Sequence, residues 1–185
     1  IGLGDQQNRA IPSILISTTI RDEREILFEI GKRLAYLRPE RLAALSMPSA
    51  PVLESALLSA LIAAGTQAVT TTGQAVAAVD GNRQLSSELQ KSLPEPVLAH
   101  VATIGQRLSG RLGNGLVTNW RTGTDMTANR AGLVLGGDLE AAARVVARET
   151  GSLSSLGPKE RLRDLIAYSV SEEYFAVRRY LGLEV

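Results

Sequence analysis

A single histidine, His100, and no cysteine leave this 185-residue chain few side chains able to make and break bonds. There is no second imidazole for a two-histidine metal site or a proton relay. There is also no thiolate to act as nucleophile, disulfide partner or zinc ligand. Carboxylates, amines and hydroxyls remain, and two segments concentrate them. One reads Leu27-Phe28-Glu29-Ile30-Gly31-Lys32-Arg33-Leu34-Ala35-Tyr36-Leu37-Arg38. The other reads Trp120-Arg121-Thr122-Gly123-Thr124-Asp125-Met126-Thr127-Ala128-Asn129-Arg130-Ala131-Gly132-Leu133. Asp125 with Glu29 is the pair that a metal-independent hydrolase would use for acid–base work. His100 belongs to neither segment and reads as an exposed or satisfied helix histidine.

The elements that must position these residues are mainly α-helical. Hydrophobic residues make up 44%, aromatics only 4%, and Leu and Ala, both strong helix formers, carry the apolar load. A helix is expected over 22–38, opened by Asp22-Glu23-Arg24-Glu25 and carrying an apolar stripe of Ile26, Leu27, Ile30, Leu34 and Leu37. Pro39 stops it and opens a short helix to Leu45. Further helices are expected near 51–64, 66–79, 84–92, 95–109, 114–135, 138–149, 158–169 and 171–181. Asn82 and Asp138 are candidate N-caps, Pro158 suits a first helical position, and Gly136-Gly137 is a helix stop. One short β element is expected near 13–20, in the β-branched run Ser13-Ile14-Leu15-Ile16-Ser17-Thr18-Thr19-Ile20. Residues 1–12 read as irregular and 13–185 as a single helical domain. The apolar run Val52–Ala64 is interrupted by Glu54 and is too short for a membrane span. A net charge of +1 gives no electrostatic reason to expect nucleic acid or an anionic membrane as partner. With no initiator Met the chain reads as a fragment or a processed chain, and the missing targeting signals and lack of Cys point to the cytoplasm.

Taken together, the two segments resemble the zinc metallopeptidases of the HtpX, Oma and CAAX-protease kind. In that family one helix carries F-x-x-G-H-E-L-x-H and a later helix carries E-x-x-A-D-R-x-G. The two His, one turn apart, share a helix face and bind the metal, and the Glu between them polarises its water. The later Glu is the third ligand, and the Asp four residues after it supports the site from behind. On this chain Gly31 and Leu34 match the frame, Ala128, Arg130 and Gly132 match the second motif outright, and Ala131, at its open position, matches the family as well. The two His positions are Lys32 and Tyr36, the catalytic Glu position is Arg33, the third-ligand position is Asp125, and Asn129 stands for the supporting Asp.

Those departures remove the chemistry. Lys is a poor zinc ligand at neutral pH, Arg stays protonated and cannot be a base, and Tyr ligates only weakly. The resemblance therefore implies a pseudopeptidase: a single-domain, zincin-like helical core with no metal and no cofactor. With zinc gone, Lys32 or Arg33 could neutralise Asp125 and tie the two helices together, or both could be solvated on the helix exterior. Asp138-Leu139-Glu140-Ala141-Ala142 and Lys159-Glu160-Arg161-Leu162-Arg163-Asp164-Leu165-Ile166 look like the tail of peptidase-like domains fused to tetratricopeptide repeats in large bacterial proteins, a resemblance that implies a C-terminal domain preceded by a helical-repeat scaffold. The function this implies is a protein-interaction or scaffold domain whose partner is another protein or another domain of the same polypeptide. A purely structural cap on a repeat array is the other non-enzymatic reading. Tyr174, Phe175, Arg178, Arg179 and Tyr180 are the candidate partner surface, since aromatic and Arg side chains make binding hot spots, although packing of the last helices accounts for them as well.

Overall fold

The computed structural model describes residues 2–4, 10–15, 20–68, 73, 82–113 and 115–183. Nine helices lie among them: α1 (Glu23–Tyr36), α2 (Pro39–Ser46), α3 (Ala50–Ala63), α4 (Arg83–Ser92), α5 (Glu95–Leu108), α6 (Leu116–Gly136), α7 (Leu139–Arg148), α8 (Pro158–Ser169) and α9 (Glu172–Tyr180). No single helix among the described residues is long and apolar enough to cross a membrane. The mainly α class is as expected, and a β pairing lies upstream of the run at 13–20. Gly2–Gly4 (β1) and Ala10–Pro12 (β2) pair antiparallel with Leu3 opposite Ile11, inside the segment read as irregular. Ser13–Leu15 and Ile20 have no regular structure, and 16–19 lie outside the described residues. Of the helix expected over 66–79, Thr66–Ala68 are non-helical, and nearly all the rest lies outside the described residues.

The single domain expected over 13–185 divides into two compact units, Ile1–Leu45 with Arg121–Val185, and Ser46–Trp120 between them in sequence. In the second unit, Leu61, Ala68 and Leu112 form a small core with Leu57, Leu58, Ile62, Val101, Leu108 and Leu116 around it. Ser49 caps α3, and Asn82 opens α4 with its side chain accepting from Ser55 at 2.5 Å.

The first unit carries the residues of interest. Its core joins Phe28 of α1, Leu133 and Val134 of α6, Ala142, Val145 and Val146 of α7, Leu165 and Tyr168 of α8 and Tyr174 of α9. Asp22 caps α1, accepting from the backbone of Arg24 and Glu25, and Asp138 caps α7 through Ala141. Gly137, at φ +67°, ends α6 in the left-handed conformation that glycine tolerates.

α1 does not bury the expected stripe. Its buried side is Glu25, Phe28, Gly31, Lys32, Ala35 and Tyr36, while Leu34 is 51% exposed and Ile26, Leu27, Ile30 and Leu37 are half-buried. Close backbone approach decides this. A Cβ on Gly31 would lie 2.7 Å from the Ala131 carbonyl oxygen, and one on Gly132 would lie 2.7 Å from the Phe28 carbonyl oxygen. Only small residues permit that crossing of α1 over α6, so the face is chosen by fit rather than by apolarity. Gly132→Ala gains about 1 kcal/mol of helix propensity but must part the two backbones, so a net loss of roughly 1–3 kcal/mol is expected in thermal unfolding. An unchanged or raised melting temperature would contradict the close crossing.

The charged members of the face are compensated. Glu25 is held by Arg144 (2.7 Å) and by Arg148, and Arg144 also reaches Asp22 at 2.6 Å, tying α1 to α7. The Arg144 hydrogen bond, ahead of Arg148, holds the Glu25 carboxyl below its ordinary value of 4.5. A depressed carboxyl contributes stability that is complete above the unfolded-state value and is lost as pH falls through the folded one. The stability gap between the parent protein and Glu25→Gln should therefore be full near pH 7 and narrow below about pH 4. Urea unfolding across that range measures it, and a gap that does not change with pH would exclude the clamp as its source.

Candidate functional site

α1 and α6 bring Lys32, Tyr36, Asp125 and Asn129 together in the first unit. Lys32 and Tyr36 are one turn apart, and Asp125 and Asn129 are one turn apart, so each pair shares a helix face. Lys32 and Asp125 are both fully buried, with Nζ 3.5 Å from Oδ1. The Tyr36 hydroxyl donates to the same Oδ1 at 2.5 Å, and Asn129 Nδ2 donates to Oδ2 at 3.1 Å. Burial, and then the neighbouring Asp125 carboxylate, push the Tyr36 phenol far above its usual value, so it stays a donor.

Three further groups, none singled out from sequence, complete the cluster. Glu149, just past α7, takes Lys32 Nζ on both oxygens at 2.8 and 2.7 Å. Arg161 of α8 donates to Glu149 Oε2 at 2.6 Å and lies 3.8 Å from Asp125 Oδ2. Ser152 donates to Asp125 Oδ2 at 3.1 Å. The result is a largely buried network of two cations and two carboxylates, drawn from α1, α6, α8 and the loop after α7, with Glu149 at its partly exposed edge. Leu153 of that loop packs on Ala35, Tyr36 and Ala128 beside it.

Of the two cations offered for Asp125, Lys32 is the one that meets it. Arg33 turns outward, 3.2 Å from Glu29 and 6.0 Å from the Tyr36 ring centroid. Glu29 is therefore not among the groups on Asp125. It lines a cleft of about 380 Å³ together with Arg33, Val145, Arg148, Glu149 and Thr150. Among the described residues, Asp125 and Glu29 share no hydrogen-bond partner.

The donor set does not fit a divalent metal. Asp125 and Glu149 are paired with an ammonium and a guanidinium, and the Tyr36 phenol is protonated. A dication placed there would meet two buried cations. Among the described residues no three His, Cys, Asp or Glu converge as metal donors. His100 is exposed on α5, in the other unit.

The candidate partner surface splits in two. Tyr174 is buried, edge-on to Tyr168 at 5.6 Å and to Phe175 at 5.4 Å. Arg178 stacks over Tyr174 at 5.6 Å and donates to the Val134 carbonyl at the end of α6 and to the Leu183 carbonyl. These two are packing and capping groups, which corrects their place in that surface. Phe175 (53%) and Tyr180 (89%) are exposed, as is Arg179. No protein family, curated protein or solved structure matches the chain.

Proposed function

We propose that the first unit is a non-catalytic interaction or scaffold domain descended from a metallopeptidase core, its metal replaced by an internal ion network. The observation that carries this reading is the fully buried Lys32, at the position of the first metal-binding His, facing Asp125, at the position of the third ligand. Two features support the descent. Lys32 and Tyr36, the two lost His positions, both reach Asp125. The glycines that match the family frame, Gly31 and Gly132, are those where α1 and α6 touch.

A structural role follows from the chemistry. A peptidase needs a polarised water and an open coordination position. Here each acidic group is already bonded, and Lys32 and Asp125 at the centre of the cluster are fully buried. The network holds three helices and a loop in register, and what remains for function is surface. The unit would bind a protein, or a neighbouring domain of the same polypeptide, rather than cleave one.

Elemental analysis tests the reading on protein purified without chelator and then equilibrated with excess zinc. The expected result is no stoichiometric zinc and an unchanged melting temperature. About one zinc per chain would overturn it and restore a metalloenzyme.

A further inference from the structure

We propose that Lys32 and Asp125 condense to an intramolecular isopeptide bond, joining α1 to α6 covalently. The proposal rests on geometry and stands whether or not the fold descends from a peptidase. An amine and a carboxyl group are held 3.5 Å apart with both side chains fully buried. Such enforced proximity replaces a bimolecular encounter with an intramolecular one. A third group able to move protons, Glu149, contacts the amine with both carboxylate oxygens, at 2.8 and 2.7 Å. The carboxyl group to be attacked is polarised by hydrogen-bond donors, Tyr36 on Oδ1 and Asn129 and Ser152 on Oδ2.

The step balances without any outside reagent. Glu149 takes a proton from the Lys32 ammonium and passes it on to Oδ2 of Asp125, returning to the carboxylate form. The freed lone pair of Nζ attacks Cγ, and charge developing on Oδ1 is met by the Tyr36 hydroxyl. A second proton leaves Nζ by way of Glu149 and joins Oδ2. The Cγ–Oδ2 bond breaks, one water departs, and the Nζ–Cγ amide remains. Glu149 ends as it began, a carboxylate 2.6 Å from Arg161.

The charge balance of the cluster favours the product. Two buried ions become one neutral amide, which removes their desolvation cost. Glu149 and Arg161 still compensate each other, so no charge is stranded. The same burial that excludes water protects the amide from hydrolysis.

Mass spectrometry of the intact, denatured chain decides it. The expected mass is one water below that of the sequence, and digestion is expected to yield a branched peptide linking the Lys32 and Asp125 segments. Lys32→Met, similar in length but without an amine, should return the full sequence mass. Glu149→Gln should leave most of the chain unlinked. A parent protein at full mass would overturn the proposal. So would a water loss that persists in Lys32→Met, as a succinimide at Asp80-Gly81 would give.

Discussion

Asp125→Ala is expected to lower stability in urea unfolding by roughly 3–5 kcal/mol, the cost of stranding one member of a buried pair. Asp125 accepts from Tyr36, Asn129 and Ser152 and faces Lys32, all within the first unit. Truncation leaves two buried donors, Tyr36 and Asn129, and the half-buried Ser152 without their acceptor, and shifts the balance of the cluster to two cations against one carboxylate. Each orphaned donor carries its own desolvation penalty. Glu40→Ala is the matched control. Glu40 pairs with Arg38 at 2.7 Å, but both side chains are more than half exposed. Exposed pairs contribute only about 0–1 kcal/mol. An Asp125→Ala loss no larger than that of Glu40→Ala would mean that water reaches Asp125.

Half of that network is legible in the sequence, for a definite reason. Lys32, Tyr36, Asp125 and Asn129 lie on two helices whose spacing follows a pattern, so their faces can be read from residue offsets alone. Glu149 and Arg161 follow no such pattern. Glu149 lies 117 residues from Lys32 and outside any helix, and only tertiary structure makes it a partner. Arg161 left a trace, because it precedes Leu165 and Tyr168 at offsets of four and seven, on the side of α8 that enters the core. A charge on an otherwise apolar helix face calls for a buried partner. The same logic applies to α1, where apolar periodicity points to Ile26, Leu27, Ile30 and Leu34 instead. Periodicity is blind to Gly31, since a residue without a side chain has no hydropathy to count, although it decides which face can approach α6. In the β-branched run at 13–20, Ser13–Leu15 and Ile20 form no strand, for the complementary reason. Propensity for a strand needs a partner strand, and the pairing formed lies upstream, between 2–4 and 10–12.

Replacing Lys32 and Tyr36 together by His should create a zinc site between α1 and α6. Both side chains already project from one face of α1 onto Asp125, at 3.5 and 2.5 Å. Two imidazoles one turn apart with a carboxylate opposite are a three-ligand set for zinc. Charge supplies the second part of the argument. Without the Lys32 ammonium, Asp125 and Glu149 face Arg161 alone, and the buried cluster is one positive charge short. The metal-free Lys32→His/Tyr36→His protein should therefore unfold more easily than its parent. A bound dication restores the missing charge, and zinc at about a hundred times its dissociation constant should stabilise the fold by about 2.7 kcal/mol. The measurements are zinc stoichiometry and the melting temperature with and without zinc, with Lys32→Ala/Tyr36→Ala as the variant that keeps the charge deficit but offers no ligands. Zinc bound to the His pair and not to the Ala pair would establish that α1 and α6 retain the geometry of a metal centre. A folded His pair that ignores zinc would reduce the match of spacing to coincidence, and the buried ion network would then have to be understood as a device for holding helices together with no metalloenzyme in its past.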